Sequence, residues 1–554
     1  MKKLLAVILS IAMVLALVAC GSSSSGGDST TAAAGGDETS REEVTTPANG
    51  DSANSEIVES LAYGLRNNSW DLSPWMNNGS SGNTVYTLLY AGLMCCPGFG
   101  TAFEDCQLDM AESIEYSDDN LVATVKLKDN ITDSKGNQIK AEDVVFSYEE
   151  APEVAGTHAA INTYMKSIKA VDDLTVEIEL NKNIAGAWLY VLCNNQVISK
   201  SWYESASDDE KSNDPACTGA YYVKENVSGT SVTFAARDDF WQADDARTAY
   251  EIVNVEEITC EAITEDTMRC VALENGELDI AWIENASINL FEGDDNYNLF
   301  SFYMPNVTTI VFNCSEDSPF YDNADLRLAC LHAIDFEQVL YATAAGYGFQ
   351  GHDMAPTSCY DYQTSWDDEG YYDYDVELAK EYLEKAGYKE GELEIHFMCK
   401  TMAAQKAGVV VIQDCLAQIG INVIIDAYDQ ALFDTYTSDS TQWDMSWQSG
   451  NLVTGSVTEA WNFYCGSKGD QGTLGFVKDD KLQELLETAM EEDDEESLNA
   501  FHEYMLEQGY AVNAFNEQAY FVAEKGITGV QFNIMENAAL NACTFSSEYE
   551  PAGK

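Results

Sequence analysis

Leu393-Glu394-Ile395-His396-Phe397-Met398, then a helical stretch over 403–419 stopped by Gly420, then Ile421-Asn422-Val423-Ile424-Ile425, reads as strand, helix and strand. Two strands joined through a helix lie parallel with a right-handed crossover, which puts this part of the chain in the α/β class. The alternation continues outward. Leu326, Ala329, Cys330, Ala333 and Ile334 share one helix face, and Asp335, with Gln338 three residues on, caps the next helix. Val376, Ala379, Leu383 and Ala386 form another apolar stripe, closed by Gly387, with Glu381 and Lys385 paired on its exposed side. The first half differs in character. Leu121-Val122-Ala123-Thr124-Val125-Lys126-Leu127-Lys128 and Leu174-Thr175-Val176-Glu177-Ile178-Glu179-Leu180 alternate inward and outward as half-buried strands. Between them Ala141-Glu142-Asp143-Val144-Val145-Phe146-Ser147-Tyr148 opens a helix with acids in its first turn.

Residues 1–20 read as a processing signal: Lys2 and Lys3 form a basic start, an apolar stretch follows, and Leu17-Val18-Ala19-Cys20 closes it in the manner of a lipobox. The expectation is an exported protein, acylated on Cys20 and held at the outer face of the cytoplasmic membrane. Residues 21–55 are Gly, Ser, Thr, Ala and acids, a composition that buries too little to order itself and reads as a flexible tether. No later stretch has the apolar length of a spanning helix. The remainder of the 554 residues suffices for two to four domains. A formal charge of −66 argues against a nucleic-acid partner and against charge-driven docking on anionic lipid.

The 15 cysteines include no C-x-x-C pair and no zinc-like spacing. Scattered thiols in an exported protein suggest an anoxic setting, and several well-formed disulfides would overturn that reading. Neighbouring Cys95 and Cys96 are the first to check. Motifs for nucleotide loops, dinucleotide folds, zinc proteases and serine hydrolases are absent, and five histidines are a thin supply of general bases and metal ligands. The stretch from Ile131 to Glu142 has Ile131 and Lys135 where a calcium loop needs oxygen ligands. No cofactor and no metal is expected. Aromatics cluster instead beside Gly, Asn and Gln: Trp70, Pro74 and Trp75, then Trp443, Trp447, Gln448 and Asn451, then Trp461 and Asn462. Such groups suit a concave site that encloses a solute by stacking and a few directed hydrogen bonds.

Met110-Ala111-Glu112-Ser113-Ile114-Glu115-Tyr116 and Gly136-Asn137-Gln138-Ile139-Lys140-Ala141-Glu142-Asp143-Val144-Val145-Phe146-Ser147 resemble the signature of the peptide/nickel class of extracellular solute-binding proteins, family 5. The likeness continues in order through Thr218-Gly219-Ala220-Tyr221, Asp238-Asp239-Phe240-Trp241, Leu273-Glu274-Asn275-Gly276-Glu277-Leu278-Asp279, Leu326 to Asp335, and Gln418-Ile419-Gly420-Ile421. It implies an α/β, periplasmic-binding-protein-like class II clamshell of two lobes with an extra domain inserted in the first. Domain I would comprise 56–84, 215–308 and 518–554, domain II 85–214, and domain III, the second lobe, 309–517. Hinge crossovers would lie near 311–313 and 512–515.

The implied role is the monomeric, non-enzymatic binding component of an ABC importer, passing a solute to permease subunits. Peptide binders of the class commonly carry an Asp after a Trp-Gly, which meets the peptide ammonium. Here Trp447-Gln448-Ser449-Gly450-Asn451 has no acid, and a buried cation beside a neutral group is costly. Lys400 and Lys406 are candidates to receive a carboxylate. Peptide leads, oligosaccharide stands beside it given the Trp, Asn and Gln content, nickel and haem stay open, and a surface glycan hydrolase or a sensor is the alternative from another class.

Overall fold

The computed structural model describes residues 57–553 apart from 77–79, 156–157, 306, 369, 451 and 533–537. The expectations for 1–20, for 21–55, for Cys20 and for Asn451 lie outside the described residues. Among the described residues no helix is long and apolar enough to cross a membrane.

The strand–helix–strand unit forms as expected: Leu393–Lys400 and Ile421–Tyr428 pair in parallel along their whole length, joined by the helix Ala403–Ala417. Met445–Ser449 adds a further parallel neighbour, with Phe397 opposite Met445 and Met398 opposite Ser446. Thr308–Phe312 follows, antiparallel. Next comes Ala511–Glu524, the element that organises the molecule. Its first half pairs with Thr308–Phe312, through a bulge at Thr308 and Thr309. Its second half pairs with Ile280–Ile283 and Tyr297–Tyr303. The sheet path then runs on through Val58–Leu65, Val255–Ala262, Ser231–Ala236 and Tyr221–Val227. One strand therefore belongs to both halves, and is buried on both faces for most of its length.

The second lobe has its own core, running from Ile310 to Phe515 and centred on Phe397, Trp447, Trp461 and Phe501. In the first lobe one core packs around Leu61, Trp75, Phe234 and Phe521. Another sits on a separate antiparallel sheet ordered Ala111–Tyr116, Val122–Leu127, Thr175–Leu180, Met165–Asp172. On that sheet lies the helix Ala141–Val154, whose start is fixed by Lys140 N–H donating to Asp143 Oδ2 at 2.8 Å. The two strands expected here are Val122–Leu127 and Thr175–Leu180, antiparallel and adjacent. Arg237, 5 % exposed, ties this sheet region to the rest of the lobe by donating to the carbonyls of Thr132, Cys217 and Gly219.

Candidate functional site

The lobes touch where Tyr347 Oη donates to Glu292 Oε1 at 2.8 Å and, on the inserted domain, along a seam. On the first lobe it is made by Gly100 and by Ala185 and Gly186, on the second by Ser358, Thr454, Gly455 and Met490. Ala185 N–H donates to Met490 O at 2.9 Å. A β-carbon at Gly100 would lie 1.9 Å from Ser358 O, and one at Gly186 2.6 Å from Thr454 Cβ. Both glycines also hold positive φ, +72° and +71°, so each permits a backbone shape and an approach that a side chain would deny. Phe99 packs on the second lobe's core, and Val453 on that of the antiparallel sheet.

Part of the second lobe's side of the seam, Thr454 and Gly455, is a loop that leaves the strand Met445–Ser449 and enters the helix Val457–Cys465. Its shape is held from within. Glu459 accepts from Val453 N–H, Thr454 N–H and Thr454 Oγ1 at 2.8–2.9 Å. Burial raises the pKa of this carboxyl while the donors oppose it. Asp361 accepts from Val457 N–H and Ser456 Oγ, and burial pushes its pKa up to about 6. Gly450 N–H donates to Tyr464 Oη at 2.9 Å. Ser456-Val457-Thr458-Glu459 has the spacing of a capping box. Here the Glu459 carboxylate reaches further back, to the loop itself.

Because Ser449 leads into this loop, the carboxyl ends of the parallel strands in the second lobe face the first lobe. Lys400 ends its strand there, two residues beyond Met398, the last residue of that strand paired with Met445–Ser449, at Ser446. Its ammonium lies 5.2 Å from the Phe433 ring. Gln448, 7 % exposed, donates to Ser446 Oγ at 2.8 Å. Trp447 is buried edge-on to Phe515 and against Gly408, where a β-carbon would meet the indole at 2.7 Å. Lys400 and Gln448 thus lie at the ends of neighbouring strands, while the Trp447 side chain, next in sequence to Gln448, lies on the opposite face of the sheet, packed on Phe515 and Gly408.

The other nominated residues lie elsewhere. Trp75 is wholly buried in a first-lobe core beside Tyr203 and Phe146, its indole N–H on Gln196 O. Pro74 is buried next to it, and Trp70 is half-buried, donating to Asn226 Oδ1 at 3.1 Å. Trp461 is buried within the second lobe, stacked on Phe501 and donating to Asp353 Oδ1. Asn462 is exposed on the same helix.

On the strand Ala511–Glu524 sits a titratable group that the sequence did not reveal. Glu517 accepts from Asn285 Nδ2 at 3.0 Å, and burial, then the neighbouring Glu284, push its carboxyl up to about 7. Arg66 stacks its guanidinium 3.7 Å from the Trp282 ring nearby. These residues are distant in sequence, so no local pattern links them.

Similar proteins include the following two curated relatives and one solved structure. Heme-binding protein A of Haemophilus influenzae is 25% identical over 312 residues, 52% of this chain and 55% of that protein. Oligopeptide-binding protein OppA of Bacillus subtilis is 25% identical over 377 residues, 62% of this chain and 65% of that protein. The chain thus spans between 55% and 65% of the length of these relatives. HbpA2 from Haemophilus parasuis superposes with a TM-score of 0.74 at 20% identity, over 88% of this chain and 100% of that one. Residues 105–472 match the model of the bacterial extracellular solute-binding proteins, family 5 Middle. With its two lobes, shared hinge strand and inserted domain, the chain belongs to the bacterial extracellular solute-binding proteins of family 5, binding proteins rather than enzymes, with the α/β class II clamshell fold.

Proposed function

We propose that this protein is the substrate-binding component of an ABC importer, that it takes up short peptides between its lobes, and that acylated Cys20 and the linker 21–55 keep it beside its permease at the outer face of the membrane. The observation that carries the reading is the seam: a loop springing from the carboxyl ends of the second lobe's strands meets the first lobe, so a solute resting on those ends is enclosed when the lobes meet. A solute that contacts both lobes binds the shut state more tightly and so drives closure. The division proposed is domain I at 56–84, 215–308 and 518–554, domain II at 85–214 and domain III at 309–517; the second lobe's own core supports the third of these, whereas one first-lobe core is shared between residues of the other two.

Lys400, Trp447, Gln448 and Asn451 are the proposed contacts in the second lobe, with Lys400 meeting a ligand carboxylate. Trp461 and Asn462 enter as supports of the loop's helix, and Trp70, Pro74 and Trp75 as supports of the facing segment of the first lobe. The name of the OppA relative favours a peptide. The neutral amides of Gln448 and Asn451 keep an oligosaccharide as the second reading, since no acid follows Trp447 to meet an ammonium. A thermal-shift screen separates them, because a bound ligand raises the midpoint by mass action. Short peptides are expected to raise it. A response to glycans with none to peptides refutes the peptide reading.

A further inference from the structure

Every cysteine among the described residues is a free thiol, but three of them are gathered at one place. Cys96, Cys106 and Cys193 form a small cluster with Phe103 and Leu189. The Cys106 thiol, which donates to Ala102 O at 3.7 Å, is near enough to those of Cys96 and Cys193 for each to act on its titration. The backbone explains the first pairing. Met94–Cys95 and Gln107–Leu108 form a two-stranded antiparallel ladder, with Met94 opposite Leu108 and Cys95 opposite Gln107. One step further the same register sets Cys96 opposite Cys106. Directly opposed residues on antiparallel strands have Cα atoms about 4.5–5.5 Å apart, within the span that a disulfide bridges. Cys95, the other member of the adjacent pair, is buried at 3 % exposure on the ladder itself, and its cross-strand partner is Gln107 rather than a cysteine.

The position matters because Cys96 and Cys106 bracket the loop that carries Gly100 to Ser358 and Gly455 of the second lobe. Inside the loop, Cys96 Sγ donates to Gly98 O at 3.2 Å and Thr101 Oγ1 to the same carbonyl at 2.7 Å. We propose that Cys106 is an oxidation site, forming a disulfide with Cys96 that staples the base of the loop by which the first lobe meets the second.

With a small-molecule disulfide as oxidant, the Cys106 thiolate attacks one sulfur of that disulfide, forming a mixed disulfide and releasing one thiolate. The Cys96 thiolate then attacks Cys106 Sγ and releases the second. Two protein thiols become one disulfide, the small disulfide is reduced to two thiols, and the two protons pass to those thiols. Cys106 is the natural first attacker, since it is half-buried whereas Cys96 is 2 % exposed. The neighbouring Cys193 thiol, and then burial, hold the Cys106 thiol above its ordinary pKa, so exchange accelerates as pH rises.

The test treats the full chain with oxidised glutathione, blocks remaining thiols, and maps peptides without reduction. Expected are the loss of two titratable thiols and a Cys96–Cys106 cross-link. Cys193→Ser should retain that cross-link and Cys106→Ser should lose it. Tandem spectra distinguish Cys95 from Cys96. The wild-type map stands even if a variant fails to fold. An unchanged thiol titre, or oxidation that joins other cysteines and leaves Cys96 and Cys106 free, overturns the proposal, as does a Cys106–Cys193 bond.

Discussion

Gly100→Ala is the sharpest perturbation of lobe closure. Gly100 sits at φ +72°, and its missing β-carbon would lie 1.9 Å from Ser358 O. A comfortable carbon–oxygen approach is about 3.3–3.6 Å, so the closed seam must part by roughly 1.5 Å to admit one methyl group. Holding Ala in the left-handed region costs about 1 kcal/mol, and this falls on open and shut forms alike as long as the loop keeps its shape. The clash falls on the shut form alone. A loss of about 1.4 kcal/mol in closure lowers apparent affinity about tenfold. The assay is calorimetric titration of wild type and variant with the peptide that gives the largest thermal shift, with the ligand-free melting midpoint as control. The expected result is at least about tenfold weaker binding with a ligand-free midpoint only slightly lower. Equal affinity in a folded variant refutes the claim that this contact is part of the ligand-bound state.

Glu459→Gln removes the charge that three loop donors share. Hydrogen bonds to a charged group contribute about 1.5–3 kcal/mol each, so amide exchange at Val453 and Thr454 should quicken by at least about tenfold, and unchanged exchange would contradict the anchoring role. Arg327 is buried, stacks on Tyr510, and donates to Gln508 O and Phe320 O, both at 2.7 Å. Arg327→Met leaves those carbonyls unpaired at the entry to the hinge strand, with an expected loss of about 2–4 kcal/mol in urea unfolding. Buried Asp279 and Asp361, with carboxyls pushed up to about 6, and Glu517, pushed up to about 7, hold protons in the fold that the unfolded chain has released. A raised folded pKa gives stability that is full below the unfolded value near 4 and lost as pH rises through the folded value. The melting midpoint should therefore fall from pH 5 to pH 8, and a rise over that range would contradict these assignments.

The strand–helix–strand unit around Leu393 and Ile421 was legible because periodicity is a local property, and Gly420 marks the turn between them with φ +79°. Asp335 caps its helix as its spacing implied, accepting from Gln338 N–H. The organising strand Ala511–Glu524 was not legible. It is buried on both faces, so its pattern lacks period two, and it carries Asn513 and Asn516 at 0 % and 1 % exposure in its middle. The tryptophans show the same limit. Trp75, Trp447 and Trp461 look alike in composition, yet one packs in the first lobe, one against Phe515 and one from the loop helix onto Phe501. What separates them is three-dimensional packing, as it is for Glu517 and Asn285, which meet only through the sheet.

Closure around a captured solute is most directly tested by the distance between spin labels on Lys169, on the inserted domain's sheet, and Glu491, on the second lobe's side of the seam, where it pairs with Lys182. It should be recorded on protein stripped of ligand and on the same protein after a bound peptide has been identified by mass. A short, narrow distance with peptide and a longer, broader one without it is the expected result. Peptide retained with the distance unchanged contradicts the clamshell capture proposed above.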